Sequence, residues 1–363
     1  MTGPNARIYA FDWVRGLAVL VMIQTHAMVL LLPETQAQYV FRRLQYFDGL
    51  VAPAFIFSAG FALALVQVRA GLAGQRAEQA KKTLKRIVEV LLVASLINLI
   101  WFDVQHEPKW LLRIDILHSI GLSLLLVMPL LVGLSTRPRL LRWVTLLLAL
   151  AIFGVSPYGE QATGLAQLFL NNKPGVLDDT TGAQFPLLPW AGYVFLGASF
   201  GATIGAMKSE KELWGWLALL MGIGTLLFWN EKAVASLYPP HQFWVTDPAD
   251  AARRWTYVLA IVAIFRLIER RWPAAAQTRG MKWLGGFGAA SLSAYFFHEM
   301  LLYQRHVGLF SRFFREKSDW PLYWVLVAAL IFATWVCVKL WDRLEPKLRA
   351  RLTFWAEPPR PAS

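Results

Sequence analysis

The residues that could do chemistry are unusual for where they stand. His26, His118 and His298 lie in long apolar runs, with a carboxylate beside two of them: Asp115 three residues before His118, and Glu299 directly after His298. An imidazole titrates near neutrality, so it can take a proton from a nucleophile at physiological pH. Partial burial would keep such a base neutral and ready. Ionisable groups inside apolar segments are costly, and each is a functional candidate for that reason. The first run also carries Asp12 and Arg15, one helical turn apart and able to neutralise one another. His26 follows about 20 Å further along the same axis. The single Cys337 rules out a disulfide and a cysteine metal cluster within one chain.

The elements that must position these groups are membrane helices. The chain has 363 residues, 56% hydrophobic and only 16% charged. Its apolar residues come in runs of about twenty, the length a helix needs to cross a bilayer. The expectation is an all-α polytopic bundle of about ten spans: 13–32, 50–68, 87–102, 114–134, 140–158, 185–206, 213–229, 254–269, 284–303 and 321–341. One transmembrane domain over residues 1–351 and a proline-rich, disordered tail over 352–363 follow from this pattern. The first run lacks a signal-peptide cleavage pattern and reads as a retained span.

The charges orient the bundle. Lys and Arg concentrate in alternate connections, for example Arg76, Lys81, Lys82, Lys85 and Arg86, then Arg137, Arg139 and Arg142, then Arg270 and Arg271, with 304–320 (Arg305, Arg312, Arg315 and Lys317) an exception among the opposite ones. By the positive-inside rule both termini are cytoplasmic. The net charge of +13 is then a topology signal and a contact with anionic lipid, not a nucleic-acid footprint. This orientation gives His26, Asp48, Arg113, Asp115, His118, His298 and Glu299 a shared depth on the outer side. Asp115 and His118, at i and i+3, are expected on one helix face. Lys85 and Arg86, with Arg15 and Asn98, are candidates for holding a phosphate-bearing donor from the cytoplasm. Gly16 and the stripe Gly197, Gly201 and Gly205 predict close helix packing. Pro53 in the second span predicts a kink. The connections 159–184 and 230–253, with His241 and Trp244, read as solvated external loops.

Several of these segments resemble a known group. Asp12-x-x-Arg15-Gly16-Leu17-Ala18 followed by His26 resembles the opening of the membrane acyltransferase superfamily. Ala52-Pro53-Ala-Phe-Ile-Phe-Ser-Ala-Gly60, Asp115-Ile-Leu-His118-Ser-Ile-Gly121 and Leu188-Pro189-Trp190-x-Gly192 resemble bacterial relatives of heparan-alpha-glucosaminide N-acetyltransferase. Ser291-Leu-Ser-Ala-Tyr295-Phe-Phe-His298 resembles the late-helix motif of the superfamily. The sequence departs at one point: the eukaryotic enzyme carries its essential histidine in the loop after the first span, and loop 33–49 has none.

The resemblance implies transfer of an acetyl or other short acyl group from cytosolic acyl-CoA to an extracytoplasmic sugar amine or hydroxyl, at a bacterial inner membrane. In that reading His26 is the general base, oriented by Asp48 or His298. Arg113, Asp115, His118 and Glu299 bind the acceptor, and Arg15, Lys85, Arg86 and Asn98 bind acetyl-CoA. A thioester needs no metal for transfer when donor and acceptor are aligned and the oxyanion is held. Direct transfer and an acyl-histidine intermediate both remain open, as does a homodimer. The rival class is a proton-coupled transporter of a small polar solute, using the same buried His and Asp as relays. The inverted repeats common in such proteins are not visible in this sequence.

Overall fold

The structure, a computed structural model, describes residues 8–101, 113–170, 183–207, 209–304 and 307–351. Among these residues all regular structure is helical. In chain order the principal helices are α1 (Tyr9–Ala27), α2 (Tyr39–Asp48), α3 (Val51–Leu72), α4 (Arg76–Trp101), α5 (Ile116–Leu134), α6 (Pro138–Gly159), α7 (Leu187–Ala206), α8 (Glu210–Trp229), α9 (Phe243–Thr246), α10 (Pro248–Arg271), α11 (Arg279–Ala289), α12 (Ser291–Tyr303), α13 (Leu309–Phe314) and α14 (Trp320–Arg351). In hydrocarbon every backbone N–H and C=O must find a partner within the segment, which is why these apolar runs fold as helices.

Among the described residues, seven candidate spans are long and apolar enough to cross a membrane: α1 with its closing turn, α2–α3, α5, α6, α7, α8 and α14. The other runs expected to cross are helical but fall short of that measure. In α4 the apolar stretch begins only after Lys85, Arg86 and Glu89, and α10 carries charge at both ends. The run expected as a single span over 284–303 is two helices, broken at Ala290. The first span starts at Tyr9 rather than residue 13, and closes in a 3₁₀ turn, Met28–Leu30. The expected tail 352–363 and the polar residues Asn171, Asn172, Asp178 and Asp179 lie outside the described residues.

Two close seams hold the site's helices in place. Where α3 meets α7, a Cβ at Gly197 would stand 2.0 Å from the Phe57 carbonyl, and one at Gly60 would stand 2.0 Å from that of Val194. Where α1 meets α11, Gly16 abuts the Leu284 carbonyl and Gly288 that of Asp12. Lipid tails are as apolar as leucine, so helices associate here through such backbone-to-backbone packing. The predicted small-residue stripe on α7 and the predicted approach at Gly16 both find their partners.

α1 is further anchored at its start. The Tyr9 and Ala10 amides donate to the Glu269 carboxylate of α10, at 2.8 and 3.4 Å. A carboxylate at a helix N-terminus satisfies orphan donors and complements the dipole. At its other end, Leu31 bridges Ser318 just before α14. The helix that carries His26 is thus tied at both ends by distant parts of the chain.

Candidate active site

The last turn of α1 meets the middle of α12. His26 Nδ1 lies 2.7 Å from Glu299 Oε1 and 2.8 Å from His298 Nε2. His298 is buried, and its Nδ1–H donates to the Ala294 carbonyl at 2.9 Å. His298 Nε2 also lies 3.3 Å from Glu299 Oε1; in the tautomer that donates through Nδ1, Nε2 is an acceptor for His26. The proton between the rings therefore belongs to His26 Nδ1, shared between Glu299 and His298. The lone pair of His26 is then on Nε2. We assign this tautomer from the hydrogen-bond network. The His26 side chain keeps about 33% of its surface exposed, and Nε2 makes no hydrogen bond among the described residues.

His26, His298 and Glu299 are also a ligand set of the type that could hold a metal ion. The ring geometry argues for a proton instead. The two rings are nearly parallel, with an interplanar angle of 14° and centroids 5.0 Å apart. With the nitrogens only 2.8 Å apart, that centroid spacing places the rings edge to edge, with each nitrogen aimed at the other. Metal ligands would aim their lone pairs at a common third point.

His26 faces a chamber of about 320 Å³ lined also by Asp48, Asn98, Arg113, Asp115, Tyr295, Glu299 and Tyr303. Asp115 precedes α5 with extended backbone; its Oδ1 accepts from the Ile116 amide at 2.7 Å and its Oδ2 from Tyr295 at 3.2 Å. The Tyr295 ring stands edge-on to both histidines. Tyr303 donates to the His26 carbonyl at 2.9 Å, fixing the end of α1. Arg113 donates to Gln184 at 2.6 Å, and Asn98 donates to the Arg113 carbonyl at 2.9 Å.

The structure thus gathers His26, Asp48, Arg113, Asp115 and Glu299 around one space, with His298 directly behind His26. Three assignments change. Asp48 does not orient His26: its carboxylate oxygens make no hydrogen bond, and Glu299 fills that role. His118 does not line the chamber; its Nε2 lies 3.5 Å from Ser95. Asp115 lies ahead of the helix as its cap, so the i, i+3 rule does not bring His118 to its side. Asn98 joins the chamber rather than the basic cluster, because it lies about 18 Å along α4 from Arg86.

The remaining basic candidates stand elsewhere. Arg86 pairs with Glu89 on an exposed face at 3.0 Å, and Lys85 precedes it on α4. Arg15 donates to Ser291 at 2.8 Å and, with Asp12, Phe11, Phe61 and Arg69, lines a second cavity of about 240 Å³ at the opposite end of α1. Sequence reasoning missed Thr25, Gln184, Phe185, Tyr295 and Tyr303 as chamber residues. Tyr295 was legible, since Tyr295, His298 and Glu299 at i, i+3 and i+4 share a face. Gln184 and Phe185 gave no signal.

The connection before α10 keeps Leu237 and Trp244 exposed, but His241 within it is not solvated. His241 Nδ1–H donates to the Pro239 carbonyl at 2.8 Å and Nε2–H to Asp247 at 2.7 Å, with the ring nearly buried. Glu160 accepts from the Gln242 amide at 3.0 Å and from the Thr246 hydroxyl. Burial works against charge on His241, and the bonds to Asp247 and Pro239 outweigh it, raising its pKa above the ordinary value of 6.5.

A helical membrane bundle with a buttressed imidazole facing a polar chamber has the makings of a membrane transferase. A family model described as heparan-alpha-glucosaminide N-acetyltransferase, catalytic, matches residues 7–234. The chain belongs to that family, a membrane acetyltransferase type. The match ends before α12, so the geometry of His298 and Glu299 comes from the structure alone. A comparison with curated proteins gave no match.

Proposed function

We propose that the protein transfers an acetyl or other short acyl group from cytosolic acyl-CoA to a sugar amine or hydroxyl on the far side of a bacterial inner membrane. The observation that carries this reading is His26, which lines the chamber with its Nδ1 held by Glu299 and His298; in the tautomer assigned above, the lone pair is on Nε2. In the mechanism Nε2 takes the proton from the acceptor as its nitrogen or oxygen attacks the thioester carbonyl. Glu299 stabilises the imidazolium that forms. Collapse of the tetrahedral species breaks the C–S bond, and His26 returns the proton to the leaving thiolate. Arg113 is the cation at the chamber wall and supplies the field for the developing oxyanion. Asp115 and Tyr295 frame the acceptor, together with Asn98.

The donor enters from the other end of α1. Arg15 and Arg69 border the second cavity and suit the phosphates of CoA, with Lys85 and Arg86 on the approach. Arg15 to His26 is about 16 Å along the helix, a span that an extended pantetheine arm can bridge. The two cavities share no lining residue. The arm must therefore part the side chains between them.

The test is radiolabelled acetyl-CoA with glucosamine and purified protein, reading both acetylated product and free CoA thiol. His26→Ala is expected to lower the rate about 10³-fold, the scale of a lost general base. Wild-type rates in a folded His26→Ala protein would remove His26 from the mechanism.

A further inference from the structure

The chamber holds more buried acceptors than the mechanism uses. Asp48 closes α2 and is 9% exposed, yet neither of its carboxylate oxygens has a hydrogen-bond partner. The Thr25 hydroxyl is the one neighbouring donor in reach of Asp48; its Oγ1 lies 2.8 Å from the Val21 carbonyl, to which it donates in this arrangement. Glu299 Oε2, 3% exposed as a residue, is likewise without a partner. A buried carboxylate left unpaired is destabilising, and such groups persist where a ligand completes them. Both line the space that His26 faces. What they lack is a donor, and the group with most to give is a cation bearing several N–H bonds.

Building on the acyl-transfer reading, we propose that Asp48 is the acceptor-side catalytic acid–base. It receives the acceptor nucleophile as an ammonium ion and takes the proton that the amine must lose before it can attack. The protons then balance. The ammonium passes one proton to the Asp48 carboxylate and becomes a free amine. The amine nitrogen bonds to the thioester carbon, and His26 Nε2 takes its second proton. The C–S bond breaks, His26 protonates the thiolate, and Asp48 releases its proton to water. The sum is ammonium plus acetyl thioester giving amide, free thiol and one proton. A hydroxyl acceptor has only one proton to lose, so it has no use for the second base. Asp48 thereby makes this chamber selective for amines over hydroxyls.

The charged and titratable groups around Asp48 are His26 on α1, Glu299, Tyr295 and Tyr303 on α12, Tyr323 on α14, and Asp115 and Arg113 just before α5. A pH profile must therefore be read as a difference between variants. The experiment compares wild type, Asp48→Asn and Asp48→Glu, each with glucosamine and with glucose, from pH 6 to 9. Acetyl-CoA binding serves as the check of folding. Wild type is expected to prefer glucosamine. Asp48→Asn is expected to lose about 100-fold in kcat/KM for glucosamine near pH 6. Its rate should then climb about tenfold per pH unit toward the amine's own pKa, where the acceptor arrives already deprotonated. Asp48→Glu should restore much of the rate at low pH.

Four results would overturn the proposal. They are equal use of glucose and glucosamine by wild type, an Asp48→Asn rate within threefold of wild type at pH 6, a loss in Asp48→Asn of the same size at every pH, and loss of acetyl-CoA binding in that variant. Failure of the acyl-transfer reading itself looks different: wild type and His26→Ala would then be indistinguishable.

Discussion

Among the described residues, two imidazole–carboxylate contacts of 2.7 Å do opposite things. His241 gives both ring nitrogens to acceptors, the Pro239 carbonyl and Asp247, and keeps no lone pair. Two acceptors favour the protonated ring, and Asp247 accepts from the Ala249 amide at the start of α10 with its other oxygen. That pair is a staple between a connection and a helix. His26 gives one nitrogen to Glu299 and His298 and turns the other toward a chamber. Each ring has a carboxylate oxygen at 2.7 Å. The number of ring nitrogens already committed separates a structural histidine from a basic one.

Substitutions can break this contrast. His241→Ala leaves Asp247 buried without its cation, which is costly in the way that cutting any buried ion pair is. We expect a loss of about 3 kcal/mol in stability, read by thermal unfolding in detergent, with the transfer rate per folded molecule kept. Glu299→Gln should do the reverse. The shape and an acceptor oxygen remain but the charge that steadies the His26 imidazolium is gone, so transfer should fall about 10²-fold, with little change in melting temperature. If both variants lose stability and neither loses rate selectively, the two pairs are the same kind of feature.

The smallest expected effect is on pH. The folded-state pKa of His241 is raised above 6.5. The stability it contributes is therefore fully present below that ordinary value and is lost as pH rises through the folded one. Wild type should melt at a lower temperature on the alkaline side of that window, and the difference should shrink in His241→Ala. An equal slope in both proteins would mean that His241 is not charged in the fold.

Much of the architecture was legible because lipid leaves helices few alternatives. The apolar runs, the glycine stripe on α7 and the close approach at Gly16 follow from what a bilayer permits. The site was only half legible. His26, His298 and Glu299 announced themselves as costly polar residues in apolar runs, but which carboxylate met which imidazole depended on how α1 and α12 cross. Sequence spacing misled at His118, because Asp115 is a cap with extended backbone rather than a member of the helix. It misled again at Asn98, where shared helix membership with Arg86 hid a separation of about 18 Å. His241 looked like surface because its partners, Pro239 and Asp247, are ordinary loop residues whose burial depends on α6 and α7.

The central claim is the position of one proton, and imidazole nitrogen NMR reads it directly. Protein labelled with ¹⁵N-histidine, with His26 assigned by its loss in His26→Gln, would be measured near pH 8. The account predicts that His26 Nδ1 carries the hydrogen and Nε2 shows the shift of a bare lone pair. A hydrogen on Nε2, with Nδ1 unprotonated against Glu299, would contradict it.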